Sequence, residues 1–262
     1  MRLRRDETTD VGRAAPRFSI ALAEDATTVL AAQRLRSRVF GITSGNGDDV
    51  DRDRFDAYCE HLIVRDTASD AVVGTYRILT GARARDAGGF YSETEFDLSR
   101  IRALDARLVE VGRACVDPDY RGGAVIALLL AGLTRFVVGE RYDYVFGCAS
   151  IDLRDGSAAA AAVCREVLAT HLAPDAWRVQ PHVPFNPAET ASGEALRPPL
   201  VKAYLRLGAF VCGPPAHDRA FATADLLMML PIATMAPRFR TRVLRGADAG
   251  PTRRGGGTRW AA

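Results

Sequence analysis

The chain has 262 residues and a mass of 28.3 kDa, a length that suggests one large domain or two small ones. A hydrophobic fraction of 48%, a charged fraction of 26% and a mean hydropathy of −0.05 exclude a wholly disordered chain, a collagen-like chain and a multi-span membrane protein. The net charge is +3 but unevenly distributed, because residues 237–262 carry seven arginines and one acid, which leaves the rest of the chain mildly acidic.

The five cysteines are odd in number, and no two of them have the C-x-x-C spacing. This usage predicts reduced thiols in a cytoplasmic protein, not a disulfide framework or a zinc site. The N-terminus lacks the apolar stretch of a secretory signal, and the longest apolar run, residues 123–133, is too short to span a bilayer. We therefore expect a cytoplasmic protein, and the basic C-terminal residues leave peripheral contact with an anionic membrane face open.

Hydrophobic periodicity and turn residues predict the elements in chain order. A strand over 18–23 precedes an amphipathic helix over 26–40, for which Asp25 is the N-cap. A glycine-rich loop separates this helix from three strands, the last two of which flank a second long loop. A buried helix, a buried strand, an alanine-rich helix, a short helix closed by Gly208 and two final strands follow. The three strands are predicted over 59–66, 71–79 and 108–116. The three helices that follow are predicted over 123–139, 156–171 and 200–207, the strand after the first of them over 144–150, and the two final strands over 209–213 and 224–230.

This order predicts an α/β (α+β) fold, a mixed central sheet with helices on both faces, in a single domain. The domain is expected over residues 17–236, between a loose N-terminal segment (1–16) and a basic, disordered tail (237–262). Along the strand over 108–116, the period of two places Arg113 on one face and Glu110 on the other.

The most informative local pattern is V-D-P-D-Y-R-G-G-A, which joins this strand to the buried helix. A helix start without bulky side chains offers free N–H groups to a phosphate, and Arg121 adds a cation; a simple tight turn is the alternative. The pattern resembles motif A of the GNAT acyltransferases, although Val125 and Ile126 stand where a second small residue is usual. We therefore expect Arg121, Gly122, Gly123 and Ala124 to hold one phosphate, as on a phosphopantetheine arm.

A second GNAT-like feature is the tyrosine four residues before Gly208. The resemblance implies that Tyr204 lies near the leaving sulfur of a thioester and acts as general acid for the thiolate. The alternative is that Tyr204 packs with its hydroxyl at the surface.

Nine short blocks in a fixed order extend the resemblance over residues 35–232. They are LRSRVF, DRFD, CEHLIV, VVGTYRIL, GGFYSETEFDLS, EVGRACVDPDYR, FGCAS, PPLVKAYLRLGA and F-x-T-x-D-L-L-M-M-L. Together they resemble the L-ornithine Nα-acyltransferase family of ornithine-lipid synthesis, GNAT relatives of the acyl-homoserine-lactone synthases. The resemblance implies that a 3-hydroxyacyl group passes from acyl carrier protein to the α-amine of L-ornithine or a similar amino acid, giving lyso-ornithine lipid.

The lactone-synthase pattern then implies the site residues. It implies substrate binding by Arg36, Phe40, Asp53, Asp56, Arg77 and Phe90, and catalysis by Glu110, Arg113 and Tyr204. A carboxylate can take the surplus proton of the amine, which assigns that role to Glu110, while Arg113 supports the acyl pocket or the anionic centre. The sequence departs from the pattern at Gly41 and Ala114.

The aspartates of residues 48–56 offer negative charge to the cationic side chain of ornithine, while Arg36 or Arg77 binds its carboxylate; a solvated loop is the alternative. No metal is expected, because this segment lacks the central glycine and terminal glutamate of an EF-hand. Nothing places a histidine near Cys148, so we expect direct attack without an acyl-enzyme.

No bound cofactor is expected, and acyl carrier protein is both the partner and, through its phosphopantetheine thioester, the co-substrate. Nucleic acid is excluded because the basic tail lacks interleaved aromatics. Three alternatives stay open: a lactone synthase that uses S-adenosylmethionine, a coenzyme A-dependent N-acyltransferase on another amine, and a non-catalytic module that binds acyl carrier protein or membrane.

Overall fold

A central ten-stranded sheet organises the chain in a computed structural model, which describes residues 17–43, 49–104, 106–154, 156–186, 197–235, 252–254 and 257–260. The strands are β1 (Phe18–Leu22), β2 (Glu60–Asp66), β3 (Val72–Thr80), β4 (Phe96–Asp97), β5 (Leu108–Val116), β6 (Tyr144–Asp152), β7 (Gln180–Pro181), β8 (Phe210–Val211), β9 (Ala216–Asp218), β10 (Thr223–Pro231), β11 (Thr252–Arg254) and β12 (Gly257–Trp260). The α-helices are α1 (Ala26–Phe40), α2 (Gly81–Asp86), α3 (Ser99–Arg102), α4 (Ala124–Gly139), α5 (Ser157–His171) and α6 (Pro199–Leu207).

The sheet runs in the order β11-β12-β1-β2-β3-β5-β6-β10-β8, with β9 also paired to β10, while β4 and β7 form a separate pair. Among the described strands of this sheet only β5 and β6 run parallel, and their pairing covers just the first three residues of each strand, from Leu108 and Tyr144 onwards. Both strands continue beyond that point, so they diverge and leave a wedge between their C-terminal halves. At the point of divergence a Cβ on Gly147 would lie 2.0 Å from the carbonyl oxygen of Val111, which explains the glycine there.

Helices cover both faces of the sheet, as predicted. Helices α4, α5 and α6 share one apolar cluster with the sheet, whereas α1 packs against β2, β3 and β5 through a separate cluster. A third cluster joins α2 and α3 to β5, β6 and β10. None of the described helices combines the length and apolar character needed to cross a membrane.

The first helix illustrates why the local pattern succeeds. Asp25 Oδ1 accepts a hydrogen bond of 2.7 Å from the Thr28 N–H, and Gly41 ends the helix with a φ of +71°. Both boundaries match the predicted ones because the capping groups are neighbours in sequence. The elements that the pattern missed are short: α2, α3, β4, β7, β9, β11 and β12.

The predicted domain boundaries fall in segments only partly described. Residues 1–16 lie outside the described part of the chain, and so does most of the segment 237–262. Within the latter, β11 and β12 pair with each other, and β12 pairs antiparallel with β1. The boundaries and the disorder of the tail therefore stay predictions.

Candidate active site

The wedge between β5 and β6 opens into a cleft of about 1220 Å³. Its walls include Tyr76 and Arg77 of β3, the 110–116 part of β5 and the 148–150 part of β6. The start of α4 lies at one side, and Tyr204 of α6 closes another. The divergence of two strands thus provides the space that a substrate would need inside an otherwise continuous sheet.

A β-bulge in β5 changes the predicted placement of its two charged residues. The register between β3 and β5 shifts beside Tyr76, and Arg113 has a φ of +52°. The expectation that Glu110 and Arg113 face opposite sides is therefore wrong, because the extra residue reverses the alternation. Both contact Tyr91: its N–H donates to Glu110 Oε2 at 2.6 Å, and the Arg113 guanidinium lies 4.8 Å from its ring centroid.

Glu110 is 4% exposed, yet its carboxylate reaches the cleft. Besides the Tyr91 N–H, the carboxylate accepts hydrogen bonds from the Ser92 N–H at 2.7 Å and from the Ser92 hydroxyl. Burial raises the pKa of Glu110, and the Ser92 and Tyr91 hydrogen bonds oppose that shift in part. A carboxylate offers about four acceptor positions, so three donors leave one for a substrate or water.

The hydroxyls of Tyr204 and Tyr76 are hydrogen-bonded to each other inside the cleft. Burial raises the pKa of Tyr204 to about 12, so the phenol stays protonated at neutral pH. The hydroxyl therefore does not point to the surface, and it is available as a proton donor.

The turn before α4 has the geometry expected of an anion site. Gly123 has a φ of +95°, which favours glycine, and a Cβ added at Gly122 or Gly123 would meet nothing within 4 Å. The first intrahelical bond runs from the Ala127 N–H to the Gly123 carbonyl, so earlier N–H groups lack helical partners. Arg121 and Gly123 line the cleft.

Behind the cleft, the other predicted charges neutralise one another. Arg36 is fully buried and bonds Asp51 Oδ2 at 2.7 Å and Asp56 Oδ1 at 2.6 Å. Arg77 Nη1 reaches Asp53 Oδ1 at 2.8 Å and Asp56 Oδ2 at 3.0 Å. Arg113 completes this Arg–Asp network through Asp51 at 3.3 Å and Asp53 at 3.7 Å.

The structure thus divides the residues named from the sequence into two groups. The cleft lining includes Phe40, Arg77, Glu110, Arg113, Arg121, Gly123 and Tyr204, and does not include Arg36, Asp53, Asp56, Phe90, Gly122 and Ala124. Phe90 packs instead against Phe146, with ring centroids 4.9 Å apart. Direct substrate contact by residues of the second group stays a prediction.

Sequence reasoning missed Tyr76, Ser92, Glu95 and Asp225. The oxygens of Glu95 and Asp225 and the Sγ of Cys148 all lie within 4.8 Å of one another, an arrangement that could ligate a metal ion. Burial raises the pKa of Cys148 well above its ordinary value, which keeps its thiol protonated and makes it a poor nucleophile. Asp225 had a signal in the sequence, since it is a lone acid within an apolar strand, whereas Glu95 had none.

Comparisons with known proteins agree with this architecture. Residues 35–131 match the model of the acetyltransferase (GNAT) domain. The structure of FeeM, an N-acyl amino acid synthase from uncultured soil microbes, aligns with a TM-score of 0.51 at 14% identity, covering 84% of this chain and 95% of that one, which shows the fold.

Two curated relatives are much more similar in sequence. The L-ornithine N(alpha)-acyltransferase of Rhodobacter capsulatus is 35% identical over 247 residues, which cover 85% of this chain and 93% of the relative. The corresponding enzyme of Brucella abortus is 36% identical over 247 residues, covering 85% of this chain and 87% of the relative. With a GNAT fold and relatives of this similarity over nearly its whole length, the chain is an N-acyltransferase and belongs to the L-ornithine N(alpha)-acyltransferase family.

Proposed function

We propose that this protein transfers a 3-hydroxyacyl group from acyl carrier protein to the α-amine of L-ornithine, giving lyso-ornithine lipid. The observation that carries the proposal is the cleft between β5 and β6, along which lie a turn with free N–H groups, a buried carboxyl group and a protonated tyrosine. Acyl transfer from a thioester to an amine needs these three parts: a grip on the donor, a proton acceptor and a proton donor.

The donor arm fits the long axis of this cleft. Its phosphate would meet the free N–H groups before α4 and the guanidinium of Arg121. Its two amides would pair with the edge of β5 that is no longer hydrogen-bonded to β6 beyond Glu110. One phosphate with an extended arm matches phosphopantetheine, which supports acyl carrier protein as the donor.

A small apolar pocket shares Cys148 and Tyr204 with the cleft and would take the part of the acyl chain next to the thioester. Its space is about 50 Å³, between α4, β6, β10 and α6. The lining is almost entirely apolar, with Leu133, Val145, Leu207 and Met228 among its members. Space of this size holds only the first methylenes of a fatty chain, each gaining about 0.8 kcal/mol on burial, and the rest of the chain would lie outside this pocket.

The amine reacts directly with the thioester. Glu110 accepts the proton of the α-amine through its remaining acceptor position, directly or through a water, and the amine nitrogen attacks the carbonyl carbon. Tyr204 donates its proton to the departing thiolate, and the positive Arg113 favours the anionic centre. The protonated thiol of Cys148 is unsuited to an acyl-enzyme.

The test measures lipid-extractable product from 3-hydroxyacyl carrier protein and labelled ornithine, with wild type, Glu110→Gln and Ser92→Ala. Glu110→Gln should lower the rate by about a hundredfold or more, as for removal of a general base. Ser92→Ala is the matched control, because it removes a hydrogen bond to Glu110 but keeps the carboxylate, and it should retain most of the activity.

Other outcomes identify the alternatives. Equal losses in both variants would make Glu110 an anchor for the 91–94 turn and not a base. Lactone release from S-adenosylmethionine would identify a lactone synthase, and preference for coenzyme A thioesters another GNAT activity. If the wild type consumes no thioester, the protein is a binding module.

A further inference from the structure

Two buried carboxyl groups lie together beside the cleft and lack a cationic partner in the described part of the chain. Asp225 of β10 is 4% exposed and lines the cleft, and Glu95, which precedes β4, lies against it with its oxygens within 4.8 Å. Both oxygens of Glu95 and Oδ1 of Asp225 are buried and have no hydrogen-bond partner within the described part of the chain. No ion pair to either residue is found among the described arginines and lysines.

Without a bound cation, ionising these two buried carboxyl groups is energetically unfavourable. Burial followed by the charge of Asp225 raises the pKa of Glu95, and burial likewise raises the pKa of Asp225. Asp218 of β9 adds a third acid at the same end of the cleft. Buried, unpaired carboxylates are compensated when a cation binds between them.

Three of the acids expected from the sequence to bind a cation are already neutralised. Asp51, Asp53 and Asp56 each contact arginine in the Arg–Asp network. Asp225, which lies beside Glu95, is in contrast an acid of the cleft lining without a counter-ion in the described chain.

We propose that Glu95 and Asp225 bind the side-chain ammonium of a diamino acid acceptor, an inference that rests on the proposed function. Ser92 shows that Glu110 and the Glu95–Asp225 pair are near each other. Its hydroxyl donates to Glu110 and lies 3.3 Å from Sγ of Cys148, which borders the pair. An amino acid with its α-amine at Glu110 therefore directs its side chain towards the two carboxylates. The pair selects a cationic side chain against an apolar one of equal length.

An ammonium fits this site better than a metal ion does. It carries three N–H donors, and three carboxylate oxygens lack a partner. A metal ion would need Cys148 as its third ligand, and that thiol would have to lose its proton beside two carboxyl groups.

The first test measures binding of L-ornithine and of L-norvaline, its analogue without the side-chain amine, by calorimetry without acyl donor. Wild type should bind ornithine at least tenfold more tightly, as expected for hydrogen bonds to charged groups. Glu95→Gln and Asp225→Asn should each lose about tenfold or more of the ornithine affinity and leave norvaline unchanged. Glu140→Gln, which removes an exposed carboxylate just after α4, should behave as wild type.

The second test is the thermal stability of the unliganded proteins. The titratable groups that face the pair are Cys148 of β6 and Asp218 of β9. Because the folded pKa of each carboxyl is raised, the wild type loses stability as pH rises above about 4, where these groups ionise first in the unfolded chain. Glu95→Gln should therefore raise Tm at neutral pH and leave it unchanged at pH 4.

Several results would overturn the inference: equal affinity of wild type for both amino acids, parallel losses for both in the variants, or a lower Tm of Glu95→Gln at neutral pH. So would stoichiometric metal in the purified protein that Glu95→Gln removes. Ornithine that binds through Glu95 without being acylated would refute the proposed function alone, and equal acylation of ornithine and norvaline would refute this inference alone.

Discussion

At the scale of single residues, the Tyr204–Tyr76 pair gives a sharp prediction. Tyr204→Phe removes the proposed donor to the thiolate and keeps the ring, so kcat should fall by about a hundredfold with little change in KM. Rates measured over a range of acyl carrier protein concentrations separate the two parameters.

Tyr76→Phe is the matched control. Tyr76 is 1% exposed, and the substitution removes only the hydroxyl that is hydrogen-bonded to the Tyr204 hydroxyl. It should lower kcat far less than Tyr204→Phe. Equal losses of kcat in the two variants would mean that the activity depends on the hydrogen bond between the two hydroxyls and that Tyr204 is not the proton donor.

At the scale of elements, the divergence of β5 from β6 depends on Gly147. An alanine there would bring its Cβ to 2.0 Å from the Val111 carbonyl oxygen, and a backbone atom cannot move aside as a side chain can. Gly147→Ala should cost about 1–3 kcal/mol, as overpacking does, and should weaken acyl-donor binding because the cleft wall shifts. Denaturant unfolding and KM for the donor measure both effects.

Gly139→Ala is the control, because a Cβ at Gly139 meets nothing within 4 Å and the residue ends a helix far from the wedge. It should leave the donor KM unchanged. A stable Gly147→Ala with wild-type kinetics would show that the two strands tolerate a wider separation.

The same scale shows what the sequence could predict. Helix α1 and strand β5 were predicted with their observed bounds, because caps, turns and periodicity are local signals. The shared face of Glu110 and Arg113 was not, since a bulge leaves no mark in the alternation of side chains. The contact of Glu95 with Asp225 joins residues far apart in the chain, and no single-sequence pattern reports such a pair.

At the scale of the whole molecule, the Arg–Asp network connects elements that are distant in the sequence. It ties Arg36 of α1 and Arg77 of β3 to the loop of residues 51–56 and to Arg113 beside the cleft. These side chains are largely buried, so each charge depends on the others. Most of the residues that resemble the lactone-synthase pattern thus hold the cleft wall in shape, which explains why several of them do not line it.

Asp56 is the centre of this network, and its replacement tests the whole arrangement. Asp56→Asn leaves Arg36 and Arg77 buried with one counter-charge fewer, which should cost about 3–5 kcal/mol in the free energy of unfolding. Asp70→Asn, at an exposed ion pair with Arg65, should change stability little.

The pH dependence supplies a further check on Asp56. Burial alone would raise its pKa, but Arg36, the Asp53 N–H and Arg77 together hold the pKa well below its ordinary value. The stability that the carboxylate contributes is therefore present above about pH 4 and is lost as pH falls below it. The difference between wild type and Asp56→Asn should shrink in acid, and a difference independent of pH would show that packing, not charge, joins these elements.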